Sequence, residues 1–257
     1  MVNVMEIFSS LQGEGVRTGR PSVFVRTGLC NFNCPGFKVE YKDPKTGETR
    51  YGCDSYYSVN PGFKSEWNQY INYKELVDDI LKVIPDYGVY NLLKPDIVFT
   101  GGEPLVYWED PVYQRVLAYF VTRGHHVTIE TNASMDIEFT REYQKQIQFS
   151  QSVKLSCSGE PQHKRINIDT LTKIAENTPN SYLKFVTSEE TWEEDHKEIK
   201  FILDEIPVYV DVWLMPLGDT KEVMEQNQQF VAEKSIEYGY SYSHRVHISV
   251  WDNKQGV

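Results

Sequence analysis

The stretch GLCNFNCPGFKVEYKDPKTGETRYGCDSYYS, Gly28 to Ser58, holds three of the chain's four cysteines: three residues separate Cys30 from Cys34, and eighteen separate Cys34 from Cys53. It follows SVFVRT (22–27), a β-branched and aromatic run that reads as a strand. Between Cys34 and Cys53, the segment FKVEYKDPKTGETRYG alternates apolar and polar residues on either side of Asp43, Pro44 and Gly47. That pattern predicts a β-hairpin turning at DPKTGE, which returns the chain to its starting point and makes Cys53 a local neighbour of Cys34. A structural zinc site would want a fourth ligand, and no histidine lies between Gly28 and Ser58. A four-iron cluster held by three thiolates instead leaves one iron open to bind another molecule. The competing reading is a Cys30/Cys34 redox pair with Cys53 incidental.

Composition frames this choice. A chain of 257 residues with 40% apolar and 13% aromatic content can bury the core of one α/β domain. A formal charge of -11 argues against sequence-independent nucleic-acid binding, which draws on Lys and Arg, and favours a small molecule or a protein as partner. No long apolar span marks a membrane segment, and MVNVMEIFSS lacks the features of a signal peptide. The expectation is a cytoplasmic chain with reduced thiols, where clustered cysteines point to metal or redox chemistry. Cys157 stands apart and reads as a small core residue on a later strand.

Working outward, β-rich runs alternate with helical ones. The predicted strands are SVFVRT, DIVFT (96–100), HVTIET (126–131), SVKLS (152–156), YLKFVT (182–187), VDVWLM (210–215) and VHISVW (246–251). Asn72 with Glu75 reads as a capping box opening YKELVDDILKVI; Asp110–Pro111 opens a second helix; and DTKEVMEQNQQFVAEKSIEYG reads as a long helix ending near Gly239. Repeated strand–helix units favour a right-handed parallel sheet, open or curled into part of a barrel, with chemistry at the carboxyl ends of the strands. Those ends carry Arg26, Thr100, Gly102, Glu103, Glu130, Asn132, Lys154 and Met215, a recurrence of polar groups at one predicted rim.

Cys30, Cys34 and Cys53 after one strand, with VFTGGEP ending the next, resemble the radical S-adenosylmethionine superfamily. The flanks EIFSSLQGEGVRTGRPSVFVRTGLCNFNC, CDSYYS, TGGEP, IETNAS, SVKLS, LMPLG and SHRVHISVWDNKQGV resemble the 7-carboxy-7-deazaguanine synthase (QueE) family over nearly the whole chain. The resemblance implies a single radical S-adenosylmethionine domain, 1–257, built as a partial, reduced (β/α)6-type barrel of mostly parallel strands, with a hairpin at approximately 35–52 inserted in the cluster loop. It implies a lyase that converts 6-carboxy-5,6,7,8-tetrahydropterin to 7-carboxy-7-deazaguanine with loss of ammonia. The implied cofactors are a 4Fe-4S cluster, S-adenosyl-L-methionine and Mg²⁺; the implied partners are a flavodoxin-like electron donor and a second copy in a homodimer.

By the same resemblance, Cys30, Cys34 and Cys53 hold the cluster and Ser55 contacts Mg²⁺. Leu11, Gln12, Gly13, Glu14, Arg26 and Thr100 line the substrate site. Gly102, Glu103, Asn132, Ser152, Lys154, Met215, Pro216, Leu217 and Gly218 border S-adenosylmethionine. No acid or base is assigned. Independently of the resemblance, Arg26 at a strand end suits an anionic carboxylate, and the acceptors of LQGEG suit the donor-rich edge of a pterin. The chain departs from the family in its long Cys34–Cys53 spacing, in Ser55 where threonine is usual, and in Met215 where glutamine is frequent. Ser55 keeps the hydroxyl oxygen that a hard cation prefers. Two rivals stand beside this reading: a glycyl-radical-enzyme activating protein, and a non-catalytic zinc-binding interaction module.

Overall fold

In a computed structural model, the structure describes residues 1–86 and 94–256. Strand β1 (Val2–Leu11) runs antiparallel to β2 (Pro21–Thr27), pairing Ile7 with Val25. The hairpin between Cys34 and Cys53 forms as read: β3 (Val39–Lys42) pairs antiparallel with β4 (Thr49–Gly52), Val39 opposite Gly52. Its turn is set by Asp43, whose carboxylate accepts from the backbone N–H of Lys45 (2.9 Å) and Thr46 (3.2 Å), while Gly47 takes a left-handed φ of 71°. β5 (Asn68–Tyr70) adds an antiparallel edge outside β1.

From β2 the sheet continues through β6 (Asp96–Gly101), β7 (Val127–Thr131), β8 (Gln148–Gln151), β9 (Tyr182–Thr187), β10 (Asp211–Pro216) and β11 (Ser241–Tyr242), every neighbouring pair parallel. The order of the nine strands is β11-β10-β9-β8-β7-β6-β2-β1-β5, and among the described residues the two edges do not pair. Consecutive strands winding in one direction, unclosed, make the expected mixed α/β sheet, with its carboxyl ends on one side.

Helix α1 (Tyr56–Val59) follows Cys53, and α2 (Tyr73–Lys82), α3 (Pro111–Thr122), α4 (Gln162–Arg165), α5 (Ile168–Asn177), α6 (Trp192–Glu205) and α7 (Lys221–Tyr238) lie in the connections. Asn72 caps α2 through Lys74 N–H (3.0 Å), Asp110 caps α3 through Val112 N–H (2.8 Å) with Pro111 at the first turn, and α7 ends at Gly239 in the left-handed region. Strand residues Val25, Phe99, Ile129, Phe149, Phe185 and Leu214 form one core cluster with Leu76, Ile80, Leu117, Phe120, Leu171 and Ile202 from the helices. Each such side chain, fully buried, contributes roughly 1.5–3 kcal/mol.

Two predicted strands are corrected. Ser152–Leu155 is a loop that runs into a one-turn helix at Ser156: the strand is the preceding Gln148–Gln151, and Ser152 N–H donates to Thr131 O (2.7 Å) as the chain turns across the sheet end. Val153 and Leu155 are buried, so their alternation records one-sided burial and not strand pairing. VHISVW forms helix α8 (Val246–Trp251), with Asp252 N–H donating to Ile248 O (2.9 Å). Ile248 is buried but Val250 is 58% exposed, so the apolar alternation that mimicked a strand has no partner sheet.

Candidate active site

A cavity of about 870 Å³ opens at the carboxyl ends of the parallel strands. The chain leaves β2 through Gly28 and Leu29, and Cys34 itself takes a left-handed φ of 50°. Glu160 anchors this loop, its Oε1 accepting from Asn33 N–H (2.8 Å) and Cys34 N–H (3.0 Å). The hairpin returns Gly52 against Asn33, where an added Cβ would stand 3.1 Å from the Asn33 carbonyl oxygen. Cys30, Cys34 and Cys53 all line the cavity. The GGEP turn is bonded to the same loop: Gly102 N–H donates to Thr27 O (3.0 Å) and Glu103 N–H to Leu29 O (2.8 Å). A Cβ on Gly102 would lie 1.9 Å from the Leu29 carbonyl, so only glycine permits this approach.

Burial, with the neighbouring acids and thiols, keeps the cysteines protonated in the metal-free chain. The Cys34 thiol is pushed up to about 11 and Cys53 to about 12, each chiefly by burial; Cys30 rises further through burial and the nearby Glu103. Iron would displace these protons, as thiolate ligation requires. Among the described residues, no three of His, Cys, Asp or Glu converge on one point as ligands of a single ion do. Three thiolates that each bind a different iron of one cluster need no such convergence.

In the same cavity, Arg26 is framed. Its Nε donates to Glu6 Oε1 (2.6 Å) and Nη1 to Ser55 Oγ (3.2 Å), while the rings of Phe8 and Tyr57 face the guanidinium at 5.9 and 5.7 Å. Ser55 Oγ donates in turn to Asp54 Oδ1 (3.3 Å). Glu130 accepts from Gln12 Nε2 (3.1 Å) at one oxygen and from Thr100 Oγ1 (2.7 Å) at the other. Glu14 lies between Lys184, bonded to Oε2, and Arg245, whose Nε reaches Oε1 at 3.1 Å; His247 Nε2 is 3.9 Å away. Burial alone would raise the Glu14 pKa, but Lys184, Arg245 and His247 outweigh it and hold the carboxylate well below its usual range. Lys184, 3% exposed, is correspondingly held above the usual lysine value: burial lowers it, but Glu14 and Glu130 prevail.

The cavity wall takes in Leu11, Gln12, Gly13, Glu14, Arg26 and Thr100. It also includes Ser55, Gly102, Asn132, Ser152 and Lys154, and the Met215, Leu217 and Gly218 stretch. Pro216 and Glu103 are not in the wall. The Glu103 carboxylate is buried behind it, accepting from Leu105 N–H, Thr131 Oγ1 and Asn132 N–H at 2.6–2.9 Å, so it fixes the turn and the end of β7. Asn132 Nδ2 donates to Asn31 Oδ1 (2.9 Å), tying the end of β7 to the loop that carries Cys30 and Cys34. Cys157 is a correction: it lies in a one-turn helix, Ser156–Ser158, and lines the same cavity, its carbonyl 2.0 Å from where a Cβ on Gly36 would stand. Lys184, Arg245, His247, Asp54, Glu6 and the role of Glu130 escaped the sequence reading.

A family model described as a 4Fe-4S single cluster domain matches residues 11–177, which contain all three clustered cysteines. A 7-carboxy-7-deazaguanine synthase from Halobacterium salinarum is 30% identical over 267 residues, covering 97% of this chain and 90% of the relative. The chain belongs to the 7-carboxy-7-deazaguanine synthase family. A second synthase, from Rhodopirellula baltica, is 26% identical over 99% of this chain and 88% of its own length. The crystal structure of QueE from Escherichia coli shares the fold, with a TM-score of 0.61 at 18% identity over 95% of this chain and 93% of the other. Membership of this radical S-adenosylmethionine family sets aside the zinc-module reading. It also brings a 4Fe-4S cluster and S-adenosylmethionine as the cofactors.

Proposed function

We propose that this chain is a 7-carboxy-7-deazaguanine synthase, contracting the ring of 6-carboxy-5,6,7,8-tetrahydropterin to 7-carboxy-7-deazaguanine with loss of ammonia. The carrying observation is one cavity whose wall joins three thiols with a framed guanidinium and the carboxylate of Glu14, with Glu130 beside it, in a chain of this family. Cys30, Cys34 and Cys53 would hold the cluster, and the cluster with S-adenosylmethionine supplies hydrogen-atom abstraction from the substrate. Backbone groups at Gly102 and at Leu217–Gly218, with Ser152 and Lys154, would border that cofactor. Met215 contributes packing where a side-chain hydrogen bond is frequent in the family.

Arg26 has Nε and Nη1 committed within the protein, and its Nη2 has no protein partner among the described residues. That nitrogen, held in place by Glu6 and the two rings, is the donor for the substrate carboxylate. Glu14 and Glu130 each accept one bond per oxygen and retain lone-pair capacity for the pterin N–H groups. Glu14 is held by two cations, Lys184 and Arg245, whereas Glu130 is oriented by the neutral donors of Gln12 and Thr100, so Glu130 joins Glu14 as a candidate acceptor. Leu11 and Gly13 shape the wall beside it. Ser55 Oγ next to Asp54 gives a hard cation one hydroxyl ligand and a compensating charge, so Mg²⁺ would take its remaining oxygens from water and the substrate.

An external flavodoxin-like donor, a homodimer, a cytoplasmic location and a single unit over 1–257 with an insertion near 35–52 are proposed from the family resemblance. Among the described residues no helix is long and apolar enough to cross a membrane. Anaerobic incubation of cluster-loaded protein with 6-carboxytetrahydropterin, S-adenosylmethionine, reductant and Mg²⁺ tests the function. Equal amounts of ammonia and 7-carboxy-7-deazaguanine support it; cofactor cleavage without ammonia contradicts it.

A further inference from the structure

Arg245, the residue before α8, joins three loops of the cavity wall. Its Nε donates to Glu14 in the LQGEG loop, Nη1 to the Gly218 carbonyl in the LMPLG loop, and Nη2 to Asp54 Oδ2 (3.4 Å) beside Cys53. The side chain is 12% exposed. Its partners are themselves fixed. Gly218 has φ 155°, and a Cβ there would stand 2.4 Å from Met224 N, so its carbonyl direction depends on glycine. The next residue seals the contact, Val246 N–H donating to Gly13 O (3.0 Å), and Ile248 and Asp252 of the C-terminal segment reach the cavity wall.

We propose that Arg245 is a positioning residue that latches α8 over the cavity and, through Glu14, Gly218 and Asp54, makes binding at the pterin end and at the S-adenosylmethionine end interdependent. A planar fork can hold three acceptors in fixed relation, so an order imposed on one loop is felt by the other two. The coupling part rests on the proposed function; the latch does not. Arg245→Met leaves Glu14 paired with Lys184 and Asp54 half-exposed to water, so no charge is stranded in the core.

Two measurements test this. Hydrogen exchange on the apoprotein should show the amides of Val246, Gly15 and Leu217 losing protection together in Arg245→Met, with partial recovery in Arg245→Lys, which keeps the charge and reaches fewer partners. Gly15 and Leu217 donate to Ser243 Oγ and Thr187 O (both 2.8 Å), and neither bond involves Arg245 itself. Unchanged exchange at Gly15 and Leu217 overturns the latch. On cluster-loaded protein, the pterin should tighten S-adenosylmethionine binding about tenfold in the unaltered chain and less than about twofold in Arg245→Met. Equal tightening in both overturns the coupling. A wild-type protein that does not bind the pterin overturns the coupling and the synthase reading together, while the exchange result still decides the latch.

Discussion

Replacing Lys184 by Met removes the cation on one oxygen of Glu14 while keeping a chain of similar length in β9. The pair is buried, and opposite charges about 4 Å apart attract by about 4 kcal/mol at an effective dielectric of about 20. Breaking a buried pair from one side typically costs 3–5 kcal/mol, because the remaining charge is left desolvated. Here Arg245 still holds the other oxygen at 3.1 Å, which places the expected loss near the low end, about 3 kcal/mol, or roughly a hundredfold in the folding equilibrium. Urea unfolding of the apoprotein reads the loss. Glu14→Gln combined with Lys184→Met should cost less than the sum of the single changes by more than about 1 kcal/mol. The pH dependence carries a defined sign. The Glu14 pKa is depressed on folding, so its stabilisation is complete above the unfolded value of about 4.3 and is lost as pH falls from there toward the folded value. Lys184→Met should flatten that acid loss. Additive single changes, with an unaltered acid slope, would refute the view that these charges act as one buried unit.

Cys30→Ala, Cys34→Ala and Cys53→Ala should each abolish iron and sulfide incorporation, whereas Cys157→Ala should retain it even though Cys157 shares the cavity wall; anaerobic reconstitution with iron and sulfide assay decides. Ser55→Ala should weaken activation by Mg²⁺ without reducing cluster content, and an unchanged magnesium titration removes Ser55 from the cation site. Arg26→Lys should lower turnover at saturating substrate on the order of a hundredfold, since a misplacement of about 1 Å suffices for that, while iron content is preserved. Normal turnover with lost iron would make Arg26 a support of the cluster loop.

The parallel strands β2, β6, β7, β9 and β10 were legible because a strand buried on both faces writes a largely apolar, β-branched run, as in DIVFT and YLKFVT, whereas β8, with glutamines at both ends of QFSQ, was not. The hairpin was legible because its turn chemistry is local, held by Asp43 and Gly47. The site was less so. Lys184 lies inside an apolar strand, and its partner Glu14 is 170 residues away, so only the fold brings them together. Arg245 and His247 were hidden by reading α8 as a strand. In a six-residue helix tertiary contacts override local pattern, here the backbone bond to Gly13 and the burial of Ile248. The first strand, Val2–Leu11, was missed because only Val2 and Val4 are deeply buried among its apolar residues, and with it went Glu6, which holds Arg26. Thr100 and Glu130 were visible at strand ends, but their mutual hydrogen bond was not.

With its carboxylate on Arg26, the pterin is expected to present the carbon that bears it to S-adenosylmethionine. The direct measurement uses 6-carboxytetrahydropterin deuterated at that carbon, incubated anaerobically with cluster-loaded protein, S-adenosylmethionine, reductant and Mg²⁺ and followed by mass spectrometry. The expected result is 7-carboxy-7-deazaguanine formed with one ammonia per product, and deuterium in the adenosyl 5′ position of the cofactor pool. No product, or product formed while the cofactor pool stays unlabelled, would contradict it.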